Sequence, residues 1–103
     1  MKRVMLMTKA LRKQIPKLGE QANVKDPIVY AKFFTPDSNW TWYILEFDGV
    51  DQMFAYVKGF HNELGYVSLK ELSSVRGPMG LYVERDRYFK PTSLSKIKSG
   101  EVY

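Results

Sequence analysis

The sequence predicts an α+β fold, an antiparallel sheet of four or five strands with two or three short helices. Three observations carry this reading. Stretches rich in β-branched and aromatic residues follow one another from residue 28 onward, turn-forming residues separate them, and helical spacing is confined to short segments. Consecutive elements tend to be spatial neighbours, so a meander is the simplest topology.

The elements follow in order. Thr8 before KALRKQI has the form of an N-capped helix with Ala10, Leu11 and Ile15 as apolar contacts, and Pro16 discourages its continuation. Lys9, Arg12, Lys13 and Lys17 then fall mainly on the wet side. Residues 18–26 read as a loop, after which Pro27 opens the strand IVYAKFF. TPDSN supplies a turn, because proline presets one backbone angle while Asp, Ser and Asn bond back to the main chain. NWTWYILEF continues as a strand, which makes residues 28–47 a hairpin. Asp48 and Gly49 begin the next turn, and MFAYVKGF, residues 53–60, forms a third strand. HNELGYV fits a turn or a short strand equally. In SLKELSSV, Ser68 and Glu71 have capping-box spacing, and Leu69, Leu72 and Val75 share one helical face. RGPMG, residues 76–80, interrupts regular structure. LYVERDRYF reads as a final strand, and PTSLSKIK as a terminal helical turn before a basic tail.

Composition sets outer bounds on function. At 103 residues the chain is expected to be one domain, 1–103, and 45% hydrophobic with 15% aromatic residues excludes a disordered chain. The absence of cysteine excludes disulfides, thiolate metal sites and cysteine nucleophiles, and fits a reducing cytosol. Val4–Met7 is far too short for the hydrophobic region of a signal peptide, and no stretch approaches the roughly 20 apolar residues that span a bilayer. A cytoplasmic protein with no membrane partner is therefore expected. Net charge is +5, unevenly spread: residues 1–25 hold seven Lys/Arg and one acid, residues 26–84 four bases and eight acids, and residues 85–103 five bases and two acids. Basic ends around an acidic middle suit an anionic partner if both ends reach one side, or a pair of solvated tails if they do not.

Strand alternation through NWTWYILEFD puts Trp40, Trp42, Ile44, Glu46 and Asp48 on one face and Thr41, Tyr43, Leu45 and Phe47 on the other. The first face either packs beneath helices or is open for stacking on bases beside a basic rim. Glu46 with Asp48, and Glu84 with Asp86, pair carboxylates along a strand in the manner of a magnesium site, although Arg85 and Arg87 are placed to neutralise the second pair. His61 is the single histidine, which excludes a multi-histidine zinc site. RGPMG is no phosphate loop, since it lacks the Gly-Lys-Ser/Thr ending, but its Arg76 suits a phosphate or carboxylate. Lys58, Gly59 and Phe60 match the start of an RNA-binding signature that His61, Asn62 and Glu63 do not continue.

FFTPDSNWTWYILEFDG, LGYVSLKEL and SVRGPMGLYVERDRYFKPTSLS together resemble a family of small bacterial proteins catalogued as a domain of unknown function, and the likeness extends over almost the whole chain. The resemblance implies a protein often encoded on plasmids and other mobile elements, some of whose relatives carry a single-stranded DNA endonuclease label. It supplies no catalytic set to carry onto this sequence.

The expected function is a non-enzymatic module, without cofactor, that binds DNA, RNA or a nucleic-acid-handling protein. Lys9, Arg12, Lys13, Arg76, Arg85, Arg87 and Lys90 would provide charge, with Trp40 and Trp42 for stacking. A magnesium-dependent single-stranded DNA nuclease using Glu46, Asp48, Glu84 and Asp86 is the enzymatic alternative. A protein-interaction module built on exposed aromatics is the third.

Overall fold

Thr8 caps the first helix through its hydroxyl, which accepts the Leu11 N–H at 3.1 Å, and the helix α1 runs Lys9–Gln14. Leu11 is partly buried and Ile15 fully so, whereas Ala10 faces water. The computed structural model describes residues 5–103. Beyond α1 it contains β1 (Ile28–Val29), β2 (Ala31–Phe34), β3 (Thr41–Phe47), β4 (Gln52–Lys58), β5 (Asn62–Ser68), α2 (Leu69–Ser74), β6 (Glu84–Arg85), β7 (Thr92–Ser93) and α3 (Leu94–Lys98). The main sheet is five-stranded in the order β5-β4-β3-β2-β6, with every neighbouring pair antiparallel, and β1 and β7 form a separate two-stranded ribbon. This is the α+β architecture that the sequence predicts.

Both faces of the sheet are covered. On one, which we call the α2 face, Phe33, Trp42, Ile44, Phe47 and Met53 pack with Leu72 of α2 and with Leu6 and Ile15. On the other, the α3 face, Val29, Tyr43, Leu45 and Tyr56 pack with Leu94 and Ile97 of α3. HNELGYV resolves as a strand because all seven residues of β5 pair with β4 in unbroken register, from Asn62 opposite Lys58 to Ser68 opposite Gln52. The last predicted strand is cut to two residues. The Asp86 N–H still donates to the Lys32 carbonyl of β2 at 2.9 Å, and Asp86 Oδ1 then accepts the Tyr88 N–H at 2.9 Å, which turns the chain away from β2.

Alternation along β3 fails at one point. Ile44 stands opposite Ala55, but Glu46 stands opposite Phe54, so Leu45 is an extra residue and β3 carries a bulge. Leu45 and Glu46 consequently both belong to the α3 side, and Phe47 returns to the α2 face with Trp42 and Ile44. The expected grouping of Glu46 with the tryptophans is corrected for this reason. Glu46 is only 4% exposed, and its Oε1 and Oε2 accept the backbone N–H groups of Gly19 and Gln21 at 2.9 and 2.7 Å. Gln21 in turn donates from Nε2 to the carbonyls of Leu45 and Ile28, and accepts the Ile28 N–H at 2.7 Å. The bulge thus receives a partner that the sheet ladder does not supply.

The turn after β3 is organised by acids. Asp48 Oδ1 accepts N–H groups from Val50, Asp51 and Gln52, while Gly49 takes the positive φ of 86° that the turn needs. Asp51 reaches the start of α2, accepting the Lys70 N–H at 2.7 Å and the Ser68 hydroxyl at 2.6 Å. Ser68 also accepts the Glu71 N–H, as the cap reading predicts. The pKa of Asp48 is lowered chiefly by its bonds to the Val50 and Asp51 N–H groups, and that of Asp51 chiefly by Ser68 and then Lys70.

Two predictions follow from these anchors. Glu46→Gln replaces one accepting oxygen by a donor facing a backbone N–H and should lower stability by about 1.5–3 kcal/mol, read from the urea midpoint at unchanged slope. Asp48 and Asp51 bind their protons less tightly folded than unfolded, so their contribution is complete above the unfolded carboxylate value near pH ~4 and fades as pH falls below it. The melting temperature should therefore hold from neutral pH to roughly pH 5 and then drop, with a smaller drop in Asp51→Asn.

Candidate functional site

At the Thr41 end of β3 the sheet opens into a groove of about 710 Å³ on which cationic and aromatic residues converge. Pairing explains how they meet. Lys32 stands opposite Tyr43, Phe34 opposite Thr41, and Thr41 opposite Lys58, so all of these share the α3 face. The Asp86 turn adds Arg87 and Tyr88, and Tyr103 closes one side. Arg85 borders the groove, but it stands opposite Phe33, so its side chain belongs to the α2 face, where Nε donates to the Met5 carbonyl at 3.0 Å.

Charge and ring are interleaved here. The Lys32 and Lys58 ammonium groups lie 6.0 and 5.6 Å from the centre of the Tyr43 ring, and Lys58 lies 5.8 Å from that of Tyr103. Asp86 is the single acid lining the groove, 3.9 Å from Lys32. Burial raises the Tyr43 pKa, with Tyr103, Tyr56 and Asp86 adding to it, so the phenol stays neutral beside its two lysines. Tyr88 is 85% exposed. The arrangement offers positive charge to an anion and ring faces to something flat.

Trp40 stands at the rim. Its ring stacks on Trp42 at 6.0 Å and 25° and meets Phe60 edge-on at 5.4 Å. Trp42 itself is buried in the α2-face core and lines not the groove but a neighbouring hollow. Trp40 also borders this hollow of about 400 Å³, which is lined too by Val75, Arg76, Gly77 and Pro78. There Asp37 accepts the Met79 N–H at 2.7 Å and lies where a side chain on Gly77 would have to be. Arg76 lies 4.3 Å over the Tyr82 ring and donates to its hydroxyl.

The residues predicted from sequence therefore separate. Trp40, Arg85 and Arg87 come to the groove. Arg76 occupies the neighbouring hollow, and exposed Lys90 follows Arg87 by three positions. Arg12 and Lys13 flank Phe47 and Gly49, with Arg12 donating to the Gly49 carbonyl at 2.7 Å, and Lys9 is exposed on the same short helix. That places the α1 cations at the far end of β3, about 20 Å away at the usual rise per residue. The carboxylates also stay apart. Glu46 and Asp48 serve backbone donors at the Phe47 end, whereas Glu84 stands opposite Phe34 at the Thr41 end and Asp86 pairs with Lys32. Among the described residues no group of three or more His, Asp or Glu is placed to hold a metal ion.

Sequence reasoning missed Lys32, Lys58, Tyr43, Tyr88 and Tyr103. The hairpin register would have found the first three, because Lys32 and Lys58 alternate onto the strand face that carries Tyr43. Tyr88 and Tyr103 carry no such periodicity.

Gly59 lets the Trp40 ring lie flat, since a Cβ there would overlap the indole. Gly59→Ala should displace that ring at a cost of about 1–3 kcal/mol, with loss of ring-current shifts in the NMR spectrum around Phe60 and Trp42.

No curated protein and no solved structure matches the chain significantly. A family model described as "Protein of unknown function (DUF2958)" matches residues 6–98, which include both sheets, the groove strands and all three helices. The chain belongs to the DUF2958 family.

Proposed function

We propose that this protein is a binding module for single-stranded nucleic acid, which lies in the groove at the Thr41 end of the sheet. The observation that carries the reading is the interleaving of Lys32, Lys58 and Arg87 with Phe34, Trp40, Tyr43, Tyr88 and Tyr103 around one open depression with a single acid. Phosphates need cations and unpaired bases need ring faces, and single-strand binders combine the two. A duplex hides its base faces within the stack, so it loses the second contribution.

Titration of labelled oligothymidylate, followed by fluorescence anisotropy at several salt concentrations, tests the proposal. Binding should weaken steeply as salt rises, and Arg87→Ala should reduce the slope of log K against log salt by about 0.7, one phosphate contact on a single strand. Tyr88→Ala should cost about 1–3 kcal/mol of affinity. A duplex of the same length should bind less tightly than the single strand. Absence of binding at low salt, or equal loss in Arg12→Ala and Arg87→Ala, would overturn this assignment of the groove.

A further inference from the structure

β5 forms one edge of the five-stranded sheet, and it lacks the devices that usually keep an edge solitary. Its seven residues, NELGYVS, include no proline and no lysine, and they pair with β4 without a bulge. The opposite edge is different. β6 is two residues long and ends at the Asp86 turn, which is the short, interrupted form that blocks further pairing. Among the described residues, no other strand is placed on the outer side of β5.

The centre of β5 is Gly65. It has no positive φ, and a Cβ built on it would meet nothing within 4 Å, so neither backbone geometry nor internal packing requires glycine. Glycine weakens a strand interior and often marks the close approach of another backbone. On either side of it, Leu64 and Tyr66 are 45% and 61% exposed and lie on the same face, opposite Tyr56 and Phe54.

We propose that β5 pairs antiparallel with β5 of a second copy of this chain, about a two-fold axis through Gly65. The strand is self-complementary in that register. Leu64 stands opposite the partner's Tyr66, Tyr66 opposite the partner's Leu64, and Asn62 opposite the partner's Ser68. Glu63, the single charge in the strand, meets the partner's Val67 rather than its own copy, with the partner's Lys70 three residues further along. Two exposed apolar residues thus become two cross-strand aliphatic–aromatic pairs, each of the kind that stabilises a sheet. The interface is isologous and closes at a dimer, which removes the open edge from both copies. An axis perpendicular to the sheet keeps like faces together. Both α3 faces, and with them both grooves, would open on the same side of one continuous sheet.

Sedimentation across a concentration series should show a dimer dissociating to monomer on dilution. Tyr66→Lys puts a charge on an already exposed edge position and should leave the chain folded, by far-UV circular dichroism, but monomeric. An independent readout uses the absence of cysteine. Residues facing each other in an antiparallel ladder have Cα atoms about 4.5–5.5 Å apart, which is within disulfide reach. Gly65→Cys should therefore form a disulfide-linked dimer on mild oxidation, while Val50→Cys, on the β3–β4 turn and more exposed to solvent than Gly65, should not. A constant monomer mass at all concentrations would overturn the proposal. So would a dimer that survives Tyr66→Lys, or cross-linking of Gly65→Cys no faster than that of Val50→Cys.

Discussion

Leu45 is one residue more than the β3–β4 ladder can pair, and the placement of much of the chain depends on how that surplus is accommodated. The bulge turns Glu46 inward, and a buried carboxylate must find donors or lose its charge. Gly19 and Gln21 provide them from the loop after α1, and Gln21 then uses its side-chain amide to hold Leu45 and Ile28. One local irregularity therefore ties the first loop, β1 and the middle strand together. It also lets Phe47 join Trp42 and Ile44, so that the α2 face has an unbroken apolar run despite the charged residue between them. Pro16 is drawn into the same corner, its carbonyl accepting the Phe47 N–H at 2.9 Å.

A second set of ties sits at the turn that follows. Asp48 satisfies the donors of its own turn, and Asp51 satisfies those at the start of α2, which is how the helix comes to be held against the β3–β4 hairpin. These are two of the eight acids in residues 26–84. Their carboxylates are committed to backbone N–H groups and the Ser68 hydroxyl. Asp26 does the same at α3, accepting both the N–H and the hydroxyl of Ser95.

What was legible in the sequence was whatever obeys a short period or a local rule. The caps at Thr8 and Ser68, the TPDSN turn and the strand chemistry of NWTWYILEF and MFAYVKGF appear as expected, whereas IVYAKFF, expected as one strand, divides at Tyr30 into β1, which pairs with β7, and β2, which pairs with β3. Two things were hidden. The bulge at Leu45 has no signature in an unbroken apolar run, so the face assignments of Glu46 and Phe47 were inverted. The groove was also hidden, because its members come from β2, β3, β4, the Asp86 turn and Tyr103, and only the folded sheet brings them together. Charge alone grouped Arg85 and Arg87 with Arg12 and Lys13, which stand at the other end of β3.

The chain has only two tryptophans, and they are stacked on each other between the groove and the hollow beside Gly77. Every indole chromophore in the molecule therefore belongs to a single corner, and their transition dipoles are close enough to couple. The protein carries its own optical probe of that corner. Changes in the exciton signal or in intrinsic emission will report events at the groove rim with no label attached, while changes at α1 or along β5 will pass almost unseen.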